Sequence, residues 1–254
     1  MIANPLWLNV ADVIADSPTL TTIRLSANHN ALAIDIWDAI MDSPRMKNLH
    51  LTCVNITDVE QANAFFNVCT MIGRLELEMC AVLDPWKSGD LESMTVPAFF
   101  PLLQEIKFVK PRDSEPEIQL HLVTRCPALR SVYWRGPGFS LILFSMAEVP
   151  QFDLPNLESL DVIGRSLTRQ EIEHFLKNNN KPLKKLAIPG SFFDQTMFKS
   201  LTRHFQTLQE LDISLCGDVK SSGVAFLLRS CPLLTSFKAG TLLAPDVEPD
   251  EIWG

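Results

Sequence analysis

The chain has 254 residues, 46% hydrophobic and 20% charged, with 22 Lys and Arg against 30 Asp and Glu and a formal net charge of −8. Ample apolar content with little net charge per residue excludes wholesale disorder and collagen-like or low-complexity chains, while the acidic balance argues against a general nucleic-acid binder, which needs clustered Lys and Arg. The longest strongly apolar stretch, Phe139 to Ala147, falls short of the ~18 to 20 residues of a membrane span, and Met1-Ile-Ala-Asn-Pro-Leu-Trp-Leu has no secretory character, so the expected compartment is the cytoplasm, the nucleus or both.

In chain order, residues 1–19 read as the helix of a preceding partial repeat. A spacing of apolar-x-x-apolar-x-apolar then recurs nine times: Leu20/Ile23/Leu25, Met46/Leu49/Leu51, Ile72/Leu75/Leu77, Leu103/Ile106/Phe108, Leu129/Val132/Trp134, Leu157/Leu160/Val162, Leu183/Leu186/Ile188, Leu208/Leu211/Ile213 and Leu234/Phe237/Ala239. The start-to-start intervals are 26, 26, 31, 26, 28, 26, 25 and 26 residues. Each alternating stretch predicts a short strand with one face in and one out. Returning helices are predicted over 57–66, 167–176 and 194–205, the second opening on Thr168 with Glu171 three residues later, a capping-box pattern. Pro18, Pro44, Pro101, Pro127, Pro155 and Pro232 stand two residues before the first apolar position of their units, where proline stops the helix and starts the next extended segment.

A single strand-and-return unit cannot bury its own apolar face, so neighbours must stack. The prediction is one α/β solenoid over 1–254: about nine repeats of ~26 residues in 20–240, a parallel sheet on the concave face and helices on the convex face. Residues 241–254 form an acidic, Pro-containing tail. Nine strands at ~4.8 Å spacing span roughly 40 Å, broad enough for a protein partner.

These units resemble leucine-rich repeats, and within them the cysteine-containing, ribonuclease-inhibitor-like type found in F-box proteins. The eighth unit carries the clearest match, Leu208-Gln-Glu-Leu211-Asp-Ile213-Ser-Leu-Cys216 followed by a helical segment ending Cys231-Pro232-Leu-Leu234. Asn28 and Cys80 occupy the same ninth position as Cys216, and Cys69, Cys126 and Cys231 each precede their next unit by three residues. The irregular fourth spacing is similar to the divergent F-box proteins of fungi. The resemblance implies a substrate receptor of a cullin ubiquitin ligase, whose F-box would bind the Skp adaptor while the repeats hold a protein substrate. No F-box is recognisable in these 254 residues, and the start in mid-repeat leads us to expect a fragment or a family member that has lost its F-box. A scaffold or regulator outside the ubiquitin system, binding a GTPase or a nuclear protein, is the alternative.

No catalytic, metal or cofactor constellation emerges, so the expectation is a non-enzyme with no cofactor. His50 and Cys53 make a lone His-x-x-Cys where structural zinc wants four converging ligands. Cys69, Cys126 and Cys231 fall at helix C-termini, where the dipole disfavours a thiolate, and read as packed, reduced thiols. Gly136-Pro-Gly138 lacks the Gly-Lys-Ser/Thr of a phosphate loop and reads as a turn. His121, His174 and His204 read as surface or partly packed residues of the returning segments.

Function is therefore expected on the outward strand positions and adjoining loops. The partner-binding candidates are Arg24, His50, Arg74, Glu76, Glu78, Lys107, Tyr133, Arg135, Asp161, Lys185, Glu210, Asp212 and Lys238. Outward positions as a whole carry six basic and six acidic residues, a balance that favours a polypeptide over a polyanion. Tyr133 beside Arg135 fits an interface anchor and equally an ordinary sheet aromatic; Trp134 should be core. The longer fourth interval places Trp86 in a looped insertion, as a contact residue or as cover for the insertion's own core, and 111–116 forms a second polar loop. Neither nucleic acid nor membrane is an expected partner.

Overall fold

A computed structural model describes residues 5–85, 96–110, 116–136, 156–164, 167–179, 181–194, 197–216 and 219–240. The chain divides into two compact units, residues 1–129 and 130–254. In the first, helix α1 (Pro5–Ala15) precedes β1 (Thr22–Asn30), α2 (Ile34–Met41), β2 (Asn48–Ile56), α3 (Val59–Cys69), β3 (Arg74–Glu78), β4 (Ala81–Val82), β5 (Glu105–Val109) and α4 (Pro116–Thr124). Strands β1, β2, β3 and β5 pair in that order, all parallel, and the short β4 pairs with the end of β2. The second unit runs β6 (Ser131–Arg135), β7 (Ser159–Ile163), α5 (Arg169–Asn178), β8 (Lys185–Ala187), α6 (Met197–Leu201), a 3-10 turn (Thr202–His204), β9 (Glu210–Ile213), α7 (Ser221–Ser230) and β10 (Ser236–Ala239). Strands β6 to β10 pair in chain order, again all parallel.

All nine strands predicted from the apolar spacing are present, and equivalent positions align. Thr22, Asn48, Arg74 and Glu105 are successive partners in the first unit; Ser131, Ser159, Lys185, Glu210 and Ser236 are successive partners in the second. A shared hydrogen bond locks this alignment at the strand starts. The Thr21 carbonyl accepts the N–H groups of both Lys47 and Asn48, the Lys47 carbonyl those of Gly73 and Arg74, and the Gly73 carbonyl those of Gln104 and Glu105. In the second unit Arg130, Glu158, Lys184 and Gln209 form the same chain of acceptors, ending on Thr235 and Ser236. One carbonyl has two lone pairs, so it can satisfy two donors where the chain bends into the strand.

A shared backbone step follows six of the strands, and β2 makes the same step at Cys53 without ending. Cys53, Met79, Lys110, Gly136, Gly164, Gly190 and Leu215 all have positive φ, and each is the eighth residue of its unit. This left-handed step turns the chain off the sheet toward the helix layer. Strand β1 departs from the rule: a bulge between Ser26 and Asn30 moves the step to Asn28 and His29, leaving Ala27 buried and Asn28 exposed. Asn28 is therefore not the structural equivalent of Cys80 and Cys216. Cys53 also differs from expectation, because β2 continues past it to Ile56 and pairs with β4 instead of ending there.

Inward side chains build the core of each unit. Leu49, Leu51, Leu75, Leu77, Ile106 and Phe108 are buried in the first, and Val132, Trp134, Leu160, Val162, Leu186, Ile188, Leu211 and Ile213 in the second. Leu25, Phe237 and Ala239 remain half-buried, since β1 and β10 each have one strand neighbour. In the first unit Trp37, Phe65, Phe66 and Phe100 touch in sequence at centroid distances of 6.0, 5.2 and 6.1 Å. Trp37 Nε1 donates to Gln61 Oε1 at 2.7 Å and Gln61 Nε2 to the Leu32 carbonyl at 2.7 Å, so the indole is buried without an unmet donor. Helix α5 opens with the predicted capping box between Thr168 and Glu171. Pro18, Pro44, Pro101, Pro127 and Pro232 all lie in the turns after helices or before strands.

Candidate binding face

The outward row of each sheet is where the predicted contact residues meet. In the first unit the strand register sets Arg24, His50, Glu76 and Lys107 side by side, flanked by Arg74 and Glu105 on one side and by Glu78 on the other. Arg74 lies 3.4 Å from Glu105 and 3.8 Å from Glu76; Lys107 lies 3.9 Å from both carboxylates. His50 Nε2 is 3.8 Å from Glu76 and from Glu78 and 3.2 Å from Thr52 Oγ1. These are half-buried groups, shielded enough for cross-strand pairing to hold each side chain in place. Glu105 had not been singled out as a contact residue; its signal is the alignment with Arg74 across the irregular 31-residue interval.

In the second unit Tyr133, Asp161, Ala187, Asp212 and Lys238 form the central row. Lys185 Nζ lies 2.9 Å from Asp161 Oδ2 and 3.3 Å from Glu210, and Lys238 Nζ lies 3.4 Å from Asp212. Burial alone would lower the Lys185 ammonium pKa, but its bonds to Asp161 and Glu210 more than offset this and hold it above its ordinary value. Burial acts upward on Asp212, and the Ser214 hydroxyl and N–H together with Lys238 outweigh it, leaving the carboxyl below its usual range. Tyr133 is half-buried, Arg135 is exposed, and Trp134 is core.

Two outward positions differ from expectation. Asp161 is only 6% exposed and Ala187 is equally buried, so Asp161 cannot serve as an open contact; it anchors Lys185. His204 also differs from the expected surface or partly packed histidine, being fully buried. Burial, then the nearby Arg203 charge, pushes its pKa down to about 4. Trp86, residues 111–115, Gly138 and the 241–254 tail lie outside the described residues.

The cysteines are free thiols, and all but Cys53 are buried. Burial pushes Cys80 and Cys231 up to about 11 and raises Cys69 and Cys126 well above the ordinary thiol range, the opposite of what a thiolate nucleophile requires. Among the described residues, no group of three or more His, Cys, Asp or Glu side chains is placed to hold a metal ion, and no helix is long and apolar enough to cross a membrane. Compared with known proteins, the chain matches no family model and no curated relative.

Proposed function

We propose that the chain is a leucine-rich-repeat protein of the cysteine-containing, ribonuclease-inhibitor-like type, a curved solenoid of about nine repeats, and that it holds a protein partner on the strand face without catalysing a reaction. The observation that carries this reading is the outward face itself, where aligned polar side chains from neighbouring strands are fixed by cross-strand ion pairs in both units. Side chains already ordered by such pairs lose little further freedom on association, and alternating charge selects a complementary polypeptide over a polyanion. Burial of five of the six thiols favours a packing role for them, and the proposed compartment is the cytoplasm or nucleus, where unpaired thiols stay reduced.

Within that reading, the Leu208–Leu234 motif favours substrate recognition in a cullin ubiquitin ligase, with Skp contact supplied by an F-box outside the repeats. Affinity purification of the full-length gene product, followed by mass spectrometry, tests the assignment. Recovery of Skp and cullin together with a substrate is the expected result. A stable protein partner without either component moves the assignment to a scaffold outside the ubiquitin system, and failure to retain any partner overturns both.

A further inference from the structure

Charge on the face of the first unit is balanced in number, Arg24, Arg74 and Lys107 against Glu76, Glu78 and Glu105, but not in place. The carboxylates stand on β3 and β5, where Glu76 and Glu105 are shared among His50, Arg74 and Lys107. Arg24, on β1, is exposed and has no ion pair or side-chain hydrogen bond among the described residues. Its register neighbour is His50, and beyond that Glu76. Between these strands lies an open depression of about 160 Å³ lined by Thr22, Arg24, Asn48, Leu49, His50, Arg74 and Glu76. Asn48 Nδ2 donates to Thr22 Oγ1 at 2.8 Å, leaving the Thr22 hydroxyl proton to point elsewhere.

We infer that this depression receives a carboxylate of the polypeptide partner, held between the guanidinium groups of Arg24 and Arg74. The two arginines sit two strands apart and two residues out of register, about 12 Å between backbones, a span their long side chains close onto a single planar anion. Guanidinium binds carboxylate with two parallel N–H···O bonds, and the Thr22 hydroxyl supplies a third donor nearby. Glu76 in the same lining and Glu105 beside Arg74 disfavour a doubly charged phosphate group, whereas one carboxylate meets Arg24, the cation without an ion pair among the described residues. The inference rests on the protein-binding reading above and specifies what the partner must present there.

The test uses the whole chain, isotopically labelled, and three hexapeptide probes followed by nuclear magnetic resonance: hexaglutamate amide, hexaglutamine amide and hexaglutamine with a free carboxyl end. We expect hexaglutamate amide to shift the Nε–Hε signals of Arg24 and Arg74 and the amides around Thr22, Asn48 and His50, while hexaglutamine amide leaves them in place. Shifts with the free-ended hexaglutamine instead assign the carboxylate to a chain terminus. Arg24→Gln and Arg74→Gln, checked for folding by circular dichroism, should each weaken the interaction at least about tenfold, about 1.4 kcal/mol, and Lys177→Gln, at an exposed position of α5, should not. Equal shifts at Arg135 and Lys238, tighter binding of inorganic phosphate, or no response to either carboxylate probe overturns the inference. If a partner identified by purification binds the Arg24→Gln chain unchanged, this inference fails while the protein-binding reading stands; if no partner is found but the carboxylate probe binds as described, the reverse holds.

Discussion

His204 Nδ1 accepts the main-chain N–H of Leu183 at 3.1 Å inside the second unit. The carbonyl of the same histidine accepts the N–H groups of Thr207 and Leu208, and the Thr207 hydroxyl donates to the Leu183 carbonyl at 2.8 Å. One buried imidazole thus ties the turn after α6 to the segment leading into β8. Burial, then the Arg203 charge, lowers its pKa to about 4, and protonation at Nδ1 would set two donors face to face.

Because that pKa is below the ~6.5 of an unfolded histidine, the unfolded chain binds more protons between the two values, and stability must fall as pH drops through that window. The full effect is on the order of 3 kcal/mol. Asn at this position keeps an acceptor but does not titrate. Urea unfolding of the wild type and His204→Asn between pH 4 and 7 should show stability curves that converge toward low pH. Parallel curves would mean that the histidine is not buried in its neutral form.

The thiols make a separate prediction. A pKa of about 11 at Cys80 and Cys231 leaves on the order of 0.1% thiolate at pH 8, and burial blocks access as well. Iodoacetamide at pH 8 should label half-buried Cys53 first, with the other five cysteines reacting only on unfolding. Peptide mapping by mass spectrometry reads this directly; rapid labelling of Cys69 or Cys126 in the folded chain would contradict their packing.

The repeat spacing made the strands legible because alternation inside a parallel sheet is a strict two-residue rule, and the nine apolar triplets report it locally. Thr168 and Glu171 were legible for the same reason, as a cap is settled within four residues. What escaped were features decided by a neighbouring segment. Asp161 has the outward parity of an open residue, yet it is buried and paired with Lys185 of the neighbouring strand. His204 occupies a returning segment whose weak apolar pattern says nothing about the unpaired Leu183 N–H that it meets. The pairing of β4 with β2 involves two residues, too few for any period to reveal. The face was therefore readable as a list of side chains but not as ion pairs, because Arg74 and Glu105 become neighbours only once a 31-residue interval is folded into one step of the sheet.

Lys185 and Asp161 test how much the second unit depends on its face. Among the described residues Asp161 Oδ1 has no hydrogen-bond partner, so Lys185 is the main compensation for a carboxylate that is nearly buried. Lys185→Met removes it and should cost about 2 to 4 kcal/mol, somewhat less than a fully enclosed pair because the lysine is partly exposed. Adding Asp161→Ala should restore most of the loss, since the stranded charge goes with it. Chemical denaturation of the single and double variants gives the coupling; a single variant as stable as wild type would show that water already solvates Asp161.

Leu215 and Gly164 occupy the same eighth position in their units and should respond oppositely to substitution. Leu215 has φ of 60° and is 82% exposed, so its side chain gains no burial to offset a left-handed backbone. An L-residue pays about 1 to 2 kcal/mol there, and glycine, although more costly to order, removes that strain. Leu215→Gly should therefore stabilise the chain by roughly 0.5 to 1 kcal/mol. At Gly164, with φ of 96°, an added Cβ would lie 3.4 Å from the Gly136 nitrogen as well as straining the backbone, so Gly164→Ala should lower stability by about 1 to 3 kcal/mol. Thermal unfolding of the two variants beside the wild type checks the pair. If Leu215→Gly instead destabilises the chain, Leu215 must make packing interactions that its exposure does not show. If both changes are neutral, the left-handed step at the end of each strand is not the feature that sets the repeat.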